Sequence, residues 1–331
     1  MKNKMFLLVI LILAVGLNSA YAGNENRVGT AGAQELLIPV GSRGVAMGKS
    51  VTANSSGVDA IYWNPAGLAN LEGSEVMFTH LPYIADIDVE YVAVGTQIED
   101  FGVIGLSIKV VDIGDIEETT EQFPNGTGRV FNPTLTVLGF TYSRILTNAV
   151  NVGVTGHVIR ETIFEVDATG FAFDFGFTYA TRFPGLTLGF VMKNYGPDLI
   201  FSGRGFDRIP PNEKRPASSR NAASELPTSI NMGAAYNFLS NDMNSATVSA
   251  SFRANNQSMD MWNGGFEYDY DSRYFLRAGY DYANQDNYLY GISLGVGAKL
   301  SLGATNLTFE YSWTETDVFE DNQFFTVKAN F

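Results

Sequence analysis

Three stretches of the chain have residue types and spacings that could do chemistry. Gly44-Val45-Ala46-Met47-Gly48-Lys49-Ser50 ends like a phosphate-binding loop, in which backbone N–H groups and a lysine cradle a nucleotide. That loop needs four residues between its glycines. Here three intervene, and Arg43 stands where the first glycine belongs. Gly291-Ile292-Ser293-Leu294-Gly295 has the spacing of a serine-hydrolase elbow, whose histidine follows the serine in the chain. No histidine follows His157. Asp112, Asp115, Glu117, Glu118 and Glu121 gather carboxylates without the regular spacing of an EF-hand, and read as a solvated acidic loop. The only histidines, His80 and His157, fall on separate strand-like segments and read as hydrogen-bonding groups. With no cysteine there is no thiolate site. The expectation is no catalytic residue, no cofactor and no metal.

The elements that carry these residues explain their failure as chemistry. The chain has 331 residues, a net charge of -14 and a mean hydropathy of +0.01. It is 45% hydrophobic and 13% aromatic but only 17% charged, against about a quarter charged in a soluble domain. Phosphate repels so acidic a chain, which argues against nucleic acid as a partner. The first 22 residues read as a cleavable secretory leader: Lys2 and Lys4, an uncharged apolar run from Met5 to Leu17, then Ala20-Tyr21-Ala22. Removing them takes two lysines and leaves 19 minus 35, or -16.

From Ser74 to Phe331 the apolar residues alternate. Phe171, Phe173, Phe175, Phe177 and Tyr179 share one parity; Ala172, Asp174, Gly176, Thr178 and Ala180 share the other. Successive strand side chains point to opposite faces, so one face is greasy and the other small and polar. Segments of this kind fall near 74–80, 89–98, 101–111, 130–143, 150–160, 170–181, 186–194, 228–238, 246–254, 261–270, 274–281, 288–300, 306–313 and 323–331. Their length, near ten residues, suits a tilted crossing of a bilayer. Fourteen is even, as single-chain bacterial barrels require. The fold class expected is all-β: a transmembrane antiparallel barrel of about 14 strands. With both termini periplasmic, the long connections at 112–129 and 195–227 fall outside. The chain ends on an aromatic strand in which Phe325, Val327, Ala329 and Phe331 share a face, and Phe331 resembles an outer-membrane assembly signal.

Residues 23 to 73 lack this alternation and are punctuated by glycine. Asn64-Pro65 favours a turn, and a short helix is expected around Ala46 and within Ser50 to Ala60. The segment reads as an N-terminal hatch plugging the lumen, ahead of a barrel over 74–331. Gly44-Val-Ala-Met-Gly48, followed by Asp59-Ala-Ile-Tyr-Trp63-Asn64-Pro65-Ala66-Gly67-Leu68, resembles the PorV/PorQ family. That family lies within the superfamily of long-chain fatty-acid transporters, the FadL-like barrels. The resemblance implies a fourteen-stranded barrel whose hatch carries Trp63, Asn64, Pro65, Ala66 and Gly67. It implies a non-enzymatic role in type IX secretion, holding exported cargo at the surface of the cell outer membrane. The FadL-like alternative is passive transport of a hydrophobic ligand.

Alternation places charges in the lumen: Glu267 and Asp269 on one strand, Arg277 and Asp281 on the next, and Arg253 nearby. A three-residue turn at Asp271-Ser272-Arg273 sets Glu267 opposite Arg277. Two roles stand open for these residues, pairing with the hatch or guiding a ligand. Arg204, Arg208, Lys214, Arg215 and Arg220 make the 195–227 loop basic, and it also holds five prolines. It is a candidate contact for lipopolysaccharide of the outer-membrane lipid, or for exported cargo or secretion-system subunits. The barrel-assembly machinery is a further expected partner.

Overall fold

The computed structural model describes residues 27–208, 217–218, 223–284 and 288–331. The leader expected at 1–22 lies outside them. Fourteen strands form the wall: β1 Ser74–Pro82, β2 Asp88–Ile98, β3 Gly102–Asp112, β4 Thr134–Thr147, β5 Val150–Ile163, β6 Val166–Ala180 and β7 Leu186–Tyr195. The second half is β8 Ser229–Ser240, β9 Asn244–Asn255, β10 Met261–Tyr270, β11 Tyr274–Ala283, β12 Tyr290–Leu302, β13 Thr305–Thr316 and β14 Asn322–Asn330. Each pairs antiparallel with its chain neighbour, and β1 closes the ring on β14, with Phe78 opposite Val327. Closure satisfies every strand edge within the wall, which a bilayer demands because lipid offers no hydrogen bonds. The seam is sealed at its end by reciprocal main-chain bonds between Ser74 and Phe331, 2.8 and 2.9 Å.

The alternation has the expected sense. Phe171, Phe173, Phe175 and Phe177 point outward, whereas Ala172, Asp174, Gly176 and Thr178 turn to the lumen. Aromatic pairs ring both ends: Phe101 with Tyr142 and Phe183 with Tyr236 at the short-turn end, and Tyr311 with Phe325 toward the other. Such rings sit at membrane interfaces. Glu90, beside His80, is an exception to the rule that charge faces inward. His80 and Glu90 are cross-strand neighbours on the outer face, 2.6 Å apart, near the outer ends of β1 and β2.

Short turns such as Asn241–Met243 and Asp271–Arg273 lie at the end that holds Ser74 and Phe331, the periplasmic end. The long connections, 113–133 and 196–228, lie at the other, outer end. Val130 and Phe131 leave the fourth strand and pair instead with Ile116 and Glu117 in a loop hairpin. The fourth strand consequently begins at Thr134, later than its alternation suggested.

Inside the wall sits the plug. Its helices are α1 Ser42–Ala46 and α2 Ala60–Trp63, with 3-10 turns at Gln34–Leu37 and Pro65–Asn70. The short helix expected around Ala46 and within Ser50–Ala60 forms in pieces: α1 ends at Ala46, and a 3-10 turn at Gly57–Asp59 leads into α2 at Ala60. Gly48 and Lys49 adopt left-handed φ of 58° and 63°, which ends α1, and turns follow. One further expectation is corrected. The barrel begins and ends at the periplasmic side, but Arg27 and Thr30 contact Glu225 and Gln257 in outer loops. The first described residues therefore lie at the outer mouth, because the plug runs the length of the lumen before β1 begins.

Candidate functional site

The plug is seated by close approach. An added Cβ at Gly279 would lie 1.9 Å from the Gly48 nitrogen, and one at Gly265 would lie 2.4 Å from the Met47 carbonyl oxygen. Gly153 and Gly176 make the same room for Pro65 and Asn64, and Gly189 for Thr52. Within the plug, the missing side chain of Gly44 is where the Trp63 ring rests, and Trp63 Nε1 donates to the Val40 carbonyl at 3.1 Å. Asn64 is fully buried. Its Oδ1 accepts from Ala66 N (3.2 Å), capping the turn that Pro65 opens, and its Nδ2 donates to Thr52 O (2.7 Å). The Nδ2 also reaches the Phe177 carbonyl of β6 at 3.3 Å, tying plug to wall. Ala66 is fully buried, and an added Cβ at Gly67 would meet the Ser55 carbonyl at 2.2 Å. The two motifs are thus a packing code for docking the plug.

Charge completes the seat. Arg43 on α1 makes a two-pronged bond to Glu267 on β10, 2.9 Å each. Glu267 also accepts from Arg277 (2.7 Å), which pairs with Glu310 at 2.8 Å. Glu310 pairs with Lys328 (2.8 Å), and Lys328 with Asp59 of the plug. Six residues of alternating sign therefore form one buried chain that starts and ends on the plug. Lys49 adds a second link, to Asp281 at 2.5 Å, and Asn263 donates to the other Asp281 oxygen at 2.8 Å. Ser50 bonds Ser249 at 2.6 Å. The lysine and serine that mimic a phosphate loop are used to hold the plug. Ser293 likewise spends its hydroxyl on Thr314, 3.0 Å away.

Two wall lysines grip the plug from β3 and β7. Lys109 and Lys193 place their Nζ atoms 4.5 and 3.7 Å from the centre of the Tyr62 ring. Lys193 donates to the Tyr62 carbonyl (2.6 Å), and Lys109 to those of Glu35 and Ile38 (3.1 and 2.7 Å). A bulge in β7 at Asn194, with φ of 57°, turns both Lys193 and Asn194 inward. Asp174 accepts from Asn194 N (2.7 Å) and bonds His157 (3.1 Å). Alternation cannot foresee a bulge, so Asn194 was illegible beforehand.

Above the plug lies a cavity of about 340 Å³ at the outer mouth. Tyr62, Trp63, Tyr83 and Tyr290 line it, with Ile38, Leu135 and Met261 and the cations Lys49 and Arg253. Arg253 Nε is buried without a hydrogen-bond partner among the described residues. Asp269 lies on the lumen side of β10 and joins none of these pairs, with one oxygen buried and unpartnered among the described residues. Arg204 sits exposed in a 3-10 turn of the 196–228 loop. The backbone of Arg208 pairs with Ala217; its side chain, and Lys214, Arg215 and Arg220, lie outside the described residues. Phe331 is exposed at the closing seam.

A closed fourteen-stranded barrel with a charge-docked plug defines the class: an outer-membrane barrel of the FadL-like architecture. Three solved structures share it. A monoaromatic hydrocarbon channel, CymD, matches with a TM-score of 0.55 at 14% identity, covering 92% of this chain and 97% of its own. A FadL homologue of Pseudomonas aeruginosa gives 0.56 at 15% identity, with 88% and 98% covered. The toluene transporter TodX of Pseudomonas putida gives 0.55 at 14%, with 86% and 96% covered. Identities this low speak for the fold alone. No curated protein matches the sequence significantly. The family of the type IX secretion system protein PorV matches residues 21–256, and the chain belongs to that family.

Proposed function

We propose that this protein is a non-enzymatic outer-membrane component of type IX secretion that holds exported cargo at the cell surface. The observation that carries the reading is the fastening of the plug. A transporter needs a path beside its plug, whereas here buried ion pairs bolt the plug to β10, β11 and β14, and Lys109 of β3 and Lys193 of β7 hold its carbonyls from the other side. What such a barrel offers is its outer end. The loops at 113–133 and 196–228 rise there, the first acidic, the second basic and proline-rich. We assign cargo contact to the second, with Arg204, Arg208, Lys214, Arg215 and Arg220 as contact residues, and lipopolysaccharide as a neighbour of the same charge preference. Assembly proceeds through the barrel-assembly machinery, with Phe331 as the terminal signal. Export uses the leader at 1–22.

The test is surface crosslinking on intact cells followed by isolation of the barrel. Cargo should co-isolate with the wild-type chain and be lost when the five basic loop residues are replaced by glutamine. Equal recovery from both would overturn the loop assignment.

A second reading, passive uptake of a hydrophobic ligand, is favoured by one observation: the aromatic cavity at the outer mouth. Its floor is Tyr62 and Trp63, and the buried polar chain lies below. Uptake would require the plug to leave its seat.

A further inference from the structure

The chain passes the outer mouth before it enters the lumen. Arg27 ion-pairs with Glu225 on the connection that leads into β8. Thr30 donates Oγ1 to Gln257 Oε1 at 2.6 Å, and Gln257 Nε2 donates to Glu225 at 2.9 Å. Gly32 N donates to the Glu225 carbonyl (3.0 Å), and Ala33 N to Glu161 at the outer end of β5 (3.0 Å). Gln34, Glu35 and Leu37, which follow at once, line the cavity, as do Arg253, Asn255 and Ser258. The Thr30–Gln257 bond therefore ties the segment to the 256–260 turn, next to the cavity-lining Asn255 and Ser258. Only after this does the chain descend through the lumen to Ser74 at the periplasmic end.

We propose that Arg27–Ala33 is a strap across the outer mouth, that the mature amino terminus is displayed on the cell surface, and that the strap must lift to open the cavity to the outside. With Gly23 as the first residue after the leader, Arg27 is the fifth.

The strap's bonds differ in kind from those of the plug below. The Arg27–Glu225 side chains are 38% and 50% exposed, and an exposed pair contributes little to stability. Val28, Gly29 and Thr30 are exposed, and only Ala33 is buried. Segments with few buried contacts open locally while the rest stays folded. The joint is strained as well. Ala33 has a φ of 52° and a ψ of 46°, a left-handed conformation that a non-glycine residue holds only against a cost. Lifting the strap relieves it. The plug is fastened by its buried charges, so the strap can move without it.

The chain has no cysteine, so single thiols report position directly. Val28→Cys should react with a bulky, membrane-impermeant maleimide on intact cells, and Glu72→Cys only after the outer membrane is permeabilised. The reverse pattern would overturn the topology. Lifting is tested at Ala33→Cys, which is buried when the strap is down. It should label on intact cells more slowly than Val28→Cys, whereas the equally buried Ala46→Cys of α1 should stay unlabelled. Labelling of neither buried thiol would overturn the lifting.

The gate itself is tested with a lock. An added Cβ at Gly32 would lie 3.0 Å from the Ser224 Cβ, near the span a disulfide bridges after a small adjustment. In a variant with Gly32→Cys, Ser224→Cys and Ser258→Cys in the cavity wall, oxidation should slow maleimide labelling at 258 by about tenfold or more, and reduction should restore it. Equal rates in the two states would show that the strap does not gate the cavity. Heat-modifiable migration of each variant on gels confirms a closed barrel before its labelling is read.

Discussion

Arg43 on α1 and Glu267 on β10 face each other with two bonds of 2.9 Å, Nε to Oε2 and Nη2 to Oε1, although 224 residues separate them in the chain. This pair joins the plug to a wall carboxylate that Arg277 also holds. Both side chains are about seven-eighths buried, so neither can turn to water when its partner is removed.

Arg43→Ala should therefore loosen the plug by more than a surface pair would. Removing one member of a buried pair costs about 3–5 kcal/mol. In planar bilayers the wild type should be electrically quiet and Arg43→Ala should show openings. The double variant Arg43→Gln with Glu267→Gln should be quieter than the single alanine, because no unpaired charge remains. Identical traces from all three would show that the pair does not hold the plug.

The glycine seat makes a sharper contrast between neighbours. Gly264 and Gly279 are paired, respectively, to Tyr280 and Gly265 on adjoining strands. An added Cβ at Gly279 collides with Gly48, while one at Gly264 meets nothing within 4 Å. Gly279→Ala should raise bilayer conductance and expose the plug to protease, and Gly264→Ala should behave as wild type. Overpacking of this kind costs about 1–3 kcal/mol.

Asn64 and Pro65 should matter to docking and not to the wall. Asn64→Ala with Pro65→Ala removes a turn cap and leaves the Thr52 carbonyl without its donor. Cap loss costs about 0.5–2 kcal/mol. Conductance should rise while outer-membrane yield and heat-modifiable migration hold steady. Deletion of Phe331, which exchanges main-chain bonds with Ser74, should do the opposite and lower yield. A normal yield of the deletion would argue against its assembly role.

The outer turn of the plug should respond to pH. Glu35 is buried beside Glu161. Burial, and then the neighbouring Glu161, push its carboxyl from 4.5 up to about 7, while Lys109 pulls the other way. A carboxyl raised in the folded state favours the proton there. Docking of this turn is therefore strongest at low pH and weakens as pH rises from 4.5 through about 7. Hydrogen exchange at Leu36 and Ile38, corrected for intrinsic rate, should be faster near pH 8 than near pH 5. Glu35→Gln should abolish that difference.

The wall was legible because strand alternation is a local code. The parity of Phe171 to Phe177 gives a lipid face, and a three-residue turn sets Glu267 opposite Arg277, as the register has it. The plug was legible only as a motif. Its partners lie far along the chain, Asp59 with Lys328 and Lys49 with Asp281, and no periodicity joins them. The inward Asn194 depends on a bulge, and the outer position of Arg27 on contacts with two distant loops. The lipid-facing His80–Glu90 pair runs against the rule that kept charge inside. It lies near the outer ends of its strands, where the penalty for charge falls toward zero.

The most direct measurement is the amount of secreted cargo on the surface of cells lacking this protein, compared with cells restored by the wild-type chain. Cargo should disappear from the surface without the protein and return with it. It should return also with Arg253→Ala, which alters the mouth cavity but leaves the loops and plug intact. Surface cargo unchanged by the deletion, with uptake of a hydrophobic compound lost instead, would contradict the account.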